Sequence, residues 1–210
     1  MYSEDDIKFT NRILASEPKI NMEINNSWLI FKVANYIDVQ NKYGQITNLK
    51  NHNNLLYFFQ DNSLGIASVN DRALVATNTN ELVLGTGGVL DRFDYVSTTN
   101  GTNIVNDHSI VTSDMSLYWY DPLKNSLCVQ QNGVQELSKI KKVQSHFNSI
   151  YDKDRTNSVS IFDKKYNELW FKVADKTLIY NELFGVFTSF SSHDYNHCAT
   201  LSDRFITVDG

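Results

Sequence analysis

The chain has 210 residues, 41% of them apolar and 12% aromatic, with nine glycines and two prolines. This length holds one large β domain or two small ones, and the scarcity of proline excludes Pro-rich linkers and collagen-like repeats. A net charge of −5 excludes a broad basic surface for nucleic acid and leaves room only for a local patch.

In chain order, the opening MYSEDDIKFTN is acidic and polar, unlike a signal peptide, which starts basic and continues apolar. No apolar run reaches the roughly 18 residues of a membrane-spanning helix, and nothing marks the protein for export. Short strands then follow: Ile46 to Leu49, an aromatic strand at Leu55 to Gln60, a turn at Asp61-Asn62, and a strand at Ser63 to Asn70. Glu81 to Leu84 is a further strand. The LGTGG that ends it (Leu84 to Gly88) lacks the Lys-Ser/Thr of a phosphate loop and reads as a turn or bulge.

The next group has strands at Ser109 to Thr112, Leu117 to Tyr120, Leu127 to Gln131 and Val134 to Leu137. Its turns are Asp121 to Asn125, with Pro122 fixing φ, and Asn132-Gly133, the strongest hairpin signal in the chain. The pattern then changes to a helical period, with Leu137, Ile140, Gln144, Phe147 and Ile150/Tyr151 near one face. This predicts a short helix from about Lys139 to Ser149, capped by Ser138, with Lys139, Lys141 and Lys142 on a solvated face or against nucleic acid or a partner. Strands resume at Ser158 to Phe162, Leu169 to Ala174, Thr177 to Asn181 and Val186 to Phe190, joined by turns at Asp175-Lys176 and Glu182 to Gly185. Arg204 to Val208 opens another.

The dipeptides Leu56-Tyr57, Leu117-Tyr118 and Leu169-Trp170 occupy matching places at spacings of 61 and 52 residues. Four short strands per such interval, in tandem, mark a β-propeller blade, against the plainer alternative of a β-sandwich of meanders. The expected fold is all-β: a partial, propeller-like array of about three to four four-stranded antiparallel blades with one inserted helix. As one domain over residues 1–210, the blades fall at roughly 12–80, 81–138 and 150–192, residues 200–210 start another, and the helix lies at about 139–149. Three blades do not close a propeller, which predicts a fragment of a longer chain, an open part-propeller, or an array that partners complete.

No motif carries a reaction by itself. Cys128 and Cys198 could form one disulfide, but a buried free thiol is the simpler reading of Cys128. Of the five histidines, His52, His108 and His146 stand apart. SSHDYNHC gathers His193, Asp194, His197 and Cys198, yet in a loop this spacing builds no shared metal-binding face, and adjacent His197 and Cys198 point opposite ways on a strand. Asp71, Asp91, Asp94, Asp114, Asp121 and Asp163 are candidates for the facing carboxylates of a glycosidase, but most sit at turns that aspartate favours for its own reasons. Glu168 and Glu182 each flank a strand end. Tyr57, Phe58, Phe59, Tyr118, Trp119, Tyr120, Trp170 and Phe171 could stack sugars or bases; core packing is the expected role. No catalytic, cofactor-binding or metal residue is assigned, and no cofactor.

The phrases NSWLIFKVANYIDVQNKYGQITNL, LLYFFQDNSLGIASVNDRALV, ELVLGTGGVLDRFDYVSTTNGT, HSIVTSDMSLYWYD and NELWFKVADKTLIYNELFGVFTSF run in order from Asn26 to Phe190, within a likeness that covers most of the chain, roughly Arg12 to Gly210. They resemble the propeller-bearing tail nozzle, or muzzle, proteins of short-tailed phages, nearest those of crAss-like phages. The resemblance implies a non-enzymatic virion tail component made in the bacterial host cytoplasm. It implies a hexameric ring around the DNA exit channel, contacts with tail adaptor or tube proteins, transient non-specific contact with phage DNA, and roles in genome retention and ejection. A carbohydrate-binding or glycan-hydrolysing propeller is the alternative. Family members are much longer than this chain, in keeping with the expected fragment. A mildly acidic lining would suit a channel through which DNA slides.

Overall fold

A computed structural model describes residues 8–17, 24, 26–69, 73–77, 80–84, 89–151, 155–200 and 205–208. β1 (Arg12–Leu14) and β2 (Tyr36–Asp38) form a small antiparallel pair. β3 (Ile46–His52), β4 (Leu55–Gln60) and β5 (Ser63–Val69) then run as a meander. A separate hairpin of β6 (Ala73–Thr77) and β7 (Asn80–Leu84) intervenes before β8 (Leu90–Ser97) pairs with β5, giving the order β3-β4-β5-β8.

The second sheet takes β9 (Ile110–Thr112), β10 (Leu117–Asp121), β11 (Ser126–Gln130) and β12 (Val134–Glu136) in chain order. After α1 (Leu137–Ile140) and α2 (Gln144–Asn148), the third sheet takes β13 (Ser158–Asp163), β14 (Glu168–Val173), β15 (Lys176–Asn181) and β16 (Val186–Ser191). β17 (His197–Thr200) and β18 (Phe205–Val208) form a final antiparallel pair. The fold is all-β, built of four-stranded antiparallel sheets in a propeller-like series.

Alternation along the strands explains the stacking. Successive side chains of a strand face opposite ways, so a run of three aromatics serves two interfaces at once. Tyr57 and Phe59 of β4 pack with Leu117 and Trp119 of β10, where the Phe59 and Trp119 rings meet edge to face at 5.3 Å. Phe58, between them, turns to the opposite side and packs with Ile13 and Val39. Tyr118 and Tyr120 likewise face the third sheet, joining Leu169, Phe171, Leu178 and Tyr180, with Phe147 of α2 in the same cluster. On the far side of the third sheet, Val159 and Ile161 pack with Tyr195, Cys198 and Phe205. The sheets therefore stack face to face in chain order. Each fully buried aromatic adds roughly 1.5–3 kcal/mol of apolar burial.

Of the eight aromatics expected to be core, Tyr57, Phe58, Phe59, Tyr118, Trp119, Tyr120 and Phe171 are buried, and Trp170 is half-buried against Phe205.

One turn design recurs. Asp121 Oδ1 accepts the backbone N–H groups of Leu123 and Lys124 at 3.0 and 3.1 Å, and the turn closes on Asn125 at φ 51°. Asp163 Oδ1 accepts Lys165 N–H at 2.9 Å and the chain closes on Asn167 at φ 54°. Asn181 Oδ1 accepts Phe184 N–H at 3.1 Å and closes on Gly185 at φ 64°. An Asx side chain starts each turn, and a residue tolerant of the left-handed region ends it four positions later.

Two expectations shift. The hairpin between β14 and β15 turns on Ala174-Asp175, because Val173 and Lys176 are already paired. The expected helix is broken into α1 and α2. Lys142 adopts φ 60°, Lys142 N–H bonds Lys139 O at 3.1 Å, and Val143 N–H bonds Ser138 O at 2.9 Å, the bond pattern that terminates a helix with a left-handed residue. Ser138 is not the cap. It is buried inside α1, where its hydroxyl accepts Leu127 N–H and donates to Gln144 Oε1 at 2.6 Å.

Candidate functional site between the first strands

The first strands of the sheets converge on a groove of about 490 Å³. β3 supplies Lys50, the short turn before β9 supplies His108, β13 supplies Ser160, and β17 supplies Cys198. Lys164 and Asp114, from the turns after β13 and β9, lie 3.3 Å apart at its rim and tie the second sheet to the third.

His108 is held by its local turn. Asn106 Oδ1 accepts His108 N–H at 3.0 Å, and Ser109 Oγ donates to Asn106 O at 2.6 Å. Its imidazole Nδ1 lies 3.7 Å from Cys198 Sγ, and the same sulfur lies 3.6 Å from the carbonyl oxygen of Ser160. Burial pushes the Cys198 thiol above its ordinary range. Ser160 is 4% exposed and its hydroxyl has no hydrogen-bond partner.

A second cleft, of about 600 Å³, lies beside the Ala174-Asp175 turn and is lined by Lys172, Asp175, Asp194 and Asn196. Lys172 is 3% exposed, in the middle of an apolar strand. Its ammonium donates to Asp194, to Tyr195 O at 2.7 Å and to Asn196 Oδ1 at 3.3 Å, so all three of its hydrogens have acceptors. That ammonium, by hydrogen bond and charge, holds the Asp194 carboxyl below the usual carboxylate range.

The SSHDYNHC residues separate. Asp194 serves Lys172, His193 Nε2 pairs with Thr207 Oγ1 at 2.7 Å, His197 starts β17 opposite Val208, and Cys198 turns inward to His108. Among the described residues, no three His, Cys, Asp or Glu side chains gather as a metal set. Cys128 and Cys198 are both free, and Cys128 is fully buried with its thiol pushed up to about 12 by desolvation.

The aspartates serve local structure. Asp121 and Asp163 cap their own turns, Asp94 lies 3.8 Å from Arg92 on an exposed strand, and Asp91 is exposed on the same strand. Asp71, and LGTGG after Leu84, lie outside the described residues. Glu168 pairs along β14 with Asp163 and Asn181. Glu182 has a larger part than its place beside a turn suggests. Its Oε1 accepts the hydroxyls of Ser113 at 2.5 Å and Tyr118 at 2.9 Å, joining the third sheet to the second.

The sequence reading did not find the His108–Cys198 pair, the Glu182 tie or the buried Lys172. Only Lys172 carries a local signal, a lone cation between Phe171 and Val173.

A family model described as the Crassvirus muzzle protein matches residues 1–209. The muzzle protein of Bacteroides phage crAss001 is 29% identical over 194 residues, which cover 89% of this chain and 14% of that protein. The chain thus spans about one seventh of the length of that relative.

Proposed function

The chain belongs to the crassvirus muzzle protein family, and we propose on that premise that it is a structural virion component of a phage tail nozzle. In this reading the stacked sheets are blades of one propeller-type domain within a ring, hexameric by the family resemblance, around the DNA exit channel. The ring retains the packaged genome and lets it pass at infection, docked on tail adaptor or tube proteins. It acts without catalysing a reaction, and it is made in the host cytoplasm before joining the tail.

The observation that carries the reading is the family match along nearly the whole chain. The fold is in keeping with it: aromatic cores between successive sheets, and inter-sheet ties at Glu182 and Lys164, suit a rigid building block. The net charge of −5 favours DNA that slides over a wall that does not grip it.

The test is mass spectrometry of nuclease-treated virions purified by density gradient. Peptides of this chain are expected to co-fractionate with the particles. Their confinement to the soluble lysate would overturn the reading.

A further inference from the structure

The groove between the first strands has a feature that a purely structural part does not need. We propose that Cys198 and His108 form a thiol–imidazole pair that makes this groove a site of covalent thiol modification by small electrophiles, low-molecular-weight disulfides among them. The inference does not depend on the tail reading.

Four observations carry it. Cys198 Sγ and His108 Nδ1 are 3.7 Å apart although their residues are 90 positions apart in the chain, so the fold brings them together. The backbone of His108 is fixed by its N–H bond to Asn106 Oδ1, in a turn that Ser109 Oγ closes on Asn106 O. Both residues line a groove of about 490 Å³, room for a small reagent. Ser160 lines the same groove, and its carbonyl oxygen lies 3.6 Å from the Cys198 sulfur, which fixes that sulfur on the groove wall.

The chemistry is thiol–disulfide exchange. The Cys198 thiol proton passes to His108 Nδ1. The resulting thiolate attacks one sulfur of the small disulfide, an S–S bond forms to Cys198, and the reagent's own S–S bond breaks. The departing thiolate takes the proton back from the imidazolium, so one disulfide and one thiol give one mixed disulfide and one thiol. The imidazole matters because burial disfavours the free thiolate, and a base at the sulfur lets deprotonation and attack proceed together.

Cys128 is the internal control. It has no solvent exposure, its neighbours at sulfur are Ser126 and Asn100, and neither is a base.

The experiment treats the full chain with oxidised glutathione, quenches at intervals, and maps adducts by peptide mass spectrometry. Cys198 is expected to be modified faster than Cys128 by about tenfold or more. His108→Gln is expected to slow the Cys198 reaction by at least about tenfold while leaving the thermal melt in place. Because His108→Gln could disturb its turn, the rate ratio of the two cysteines in the unaltered protein stands as a second measurement. Equal rates at Cys128 and Cys198, no adduct at Cys198, or an unchanged Cys198 rate in folded His108→Gln would each overturn the proposal.

Discussion

Glu182 shows how one side chain can join two sheets across a largely apolar contact. Its Oε1 is the acceptor for the Tyr118 hydroxyl, and Tyr118 is 3% exposed. Removing that acceptor leaves a buried donor with less satisfaction, whereas an amide keeps the oxygen. Glu182→Ala is therefore expected to cost about 1–3 kcal/mol in urea unfolding, and Glu182→Gln distinctly less. Equal losses in the two variants would show that the hydrogen bonds are not what matters. Asp121 offers a test of opposite electrostatic character. Burial dominates its environment and pushes the carboxyl up to about 6, against the backbone N–H groups that favour its charge. The unfolded value is about 3.9. Between about pH 4 and pH 6 the folded chain holds a proton there that the unfolded chain has lost, so this group's contribution falls as pH rises through that window. Asp121→Asn keeps the Oδ1 acceptor. It is expected to flatten that slope and to gain up to about 3 kcal/mol over the parent at pH 7. Urea melts at a series of pH values measure both effects. Asp194 runs the other way: its carboxyl is held low by Lys172, so its contribution is present above the unfolded carboxyl range and is lost as pH falls.

Turns decide where the strands begin and end. The hairpin between β14 and β15 places Ala174 at φ 59°, a conformation that costs a residue with a Cβ and not glycine. Ala174→Gly is expected to stabilise the protein by about 0.5–1 kcal/mol, read as a rise in the urea midpoint; a loss of stability would mean that the position is not strained. The same physics explains what the sequence made visible. Strands such as Leu55 to Gln60 and Val186 to Phe190 were legible because short runs rich in apolar and aromatic residues are bounded by Asn, Asp or Gly turns. The break between α1 and α2 was not, because a lysine, not the usual glycine, occupies the left-handed position. The His108–Cys198 pair could not be read from spacing, since the residues are 90 positions apart and meet only where β17 and the turn before β9 both pack against β13.

On the scale of the whole molecule, three sheets and a final hairpin stack in chain order, and the groove lies where their first strands meet. That architecture was legible because the aromatic dipeptides recur at blade-like spacing. Which carboxylates and cations bridge the sheets was not, because these contacts arise only after stacking. The charge balance adds a prediction: the purified chain is expected to bind duplex DNA no more tightly than about 10⁻⁴ M at physiological salt. Fluorescence anisotropy across a salt series checks it, and tight, salt-sensitive binding would rule out a wall past which DNA slides freely. The central claim, that this chain is part of the ring around the exit channel, is tested most directly by cryo-electron microscopy of isolated phage tails decorated with antibody fragments raised against the chain. The account predicts fragments arranged in a ring around the channel at the tail tip. Tails that carry no fragment density, while free chain in the same lysate is bound, would contradict it.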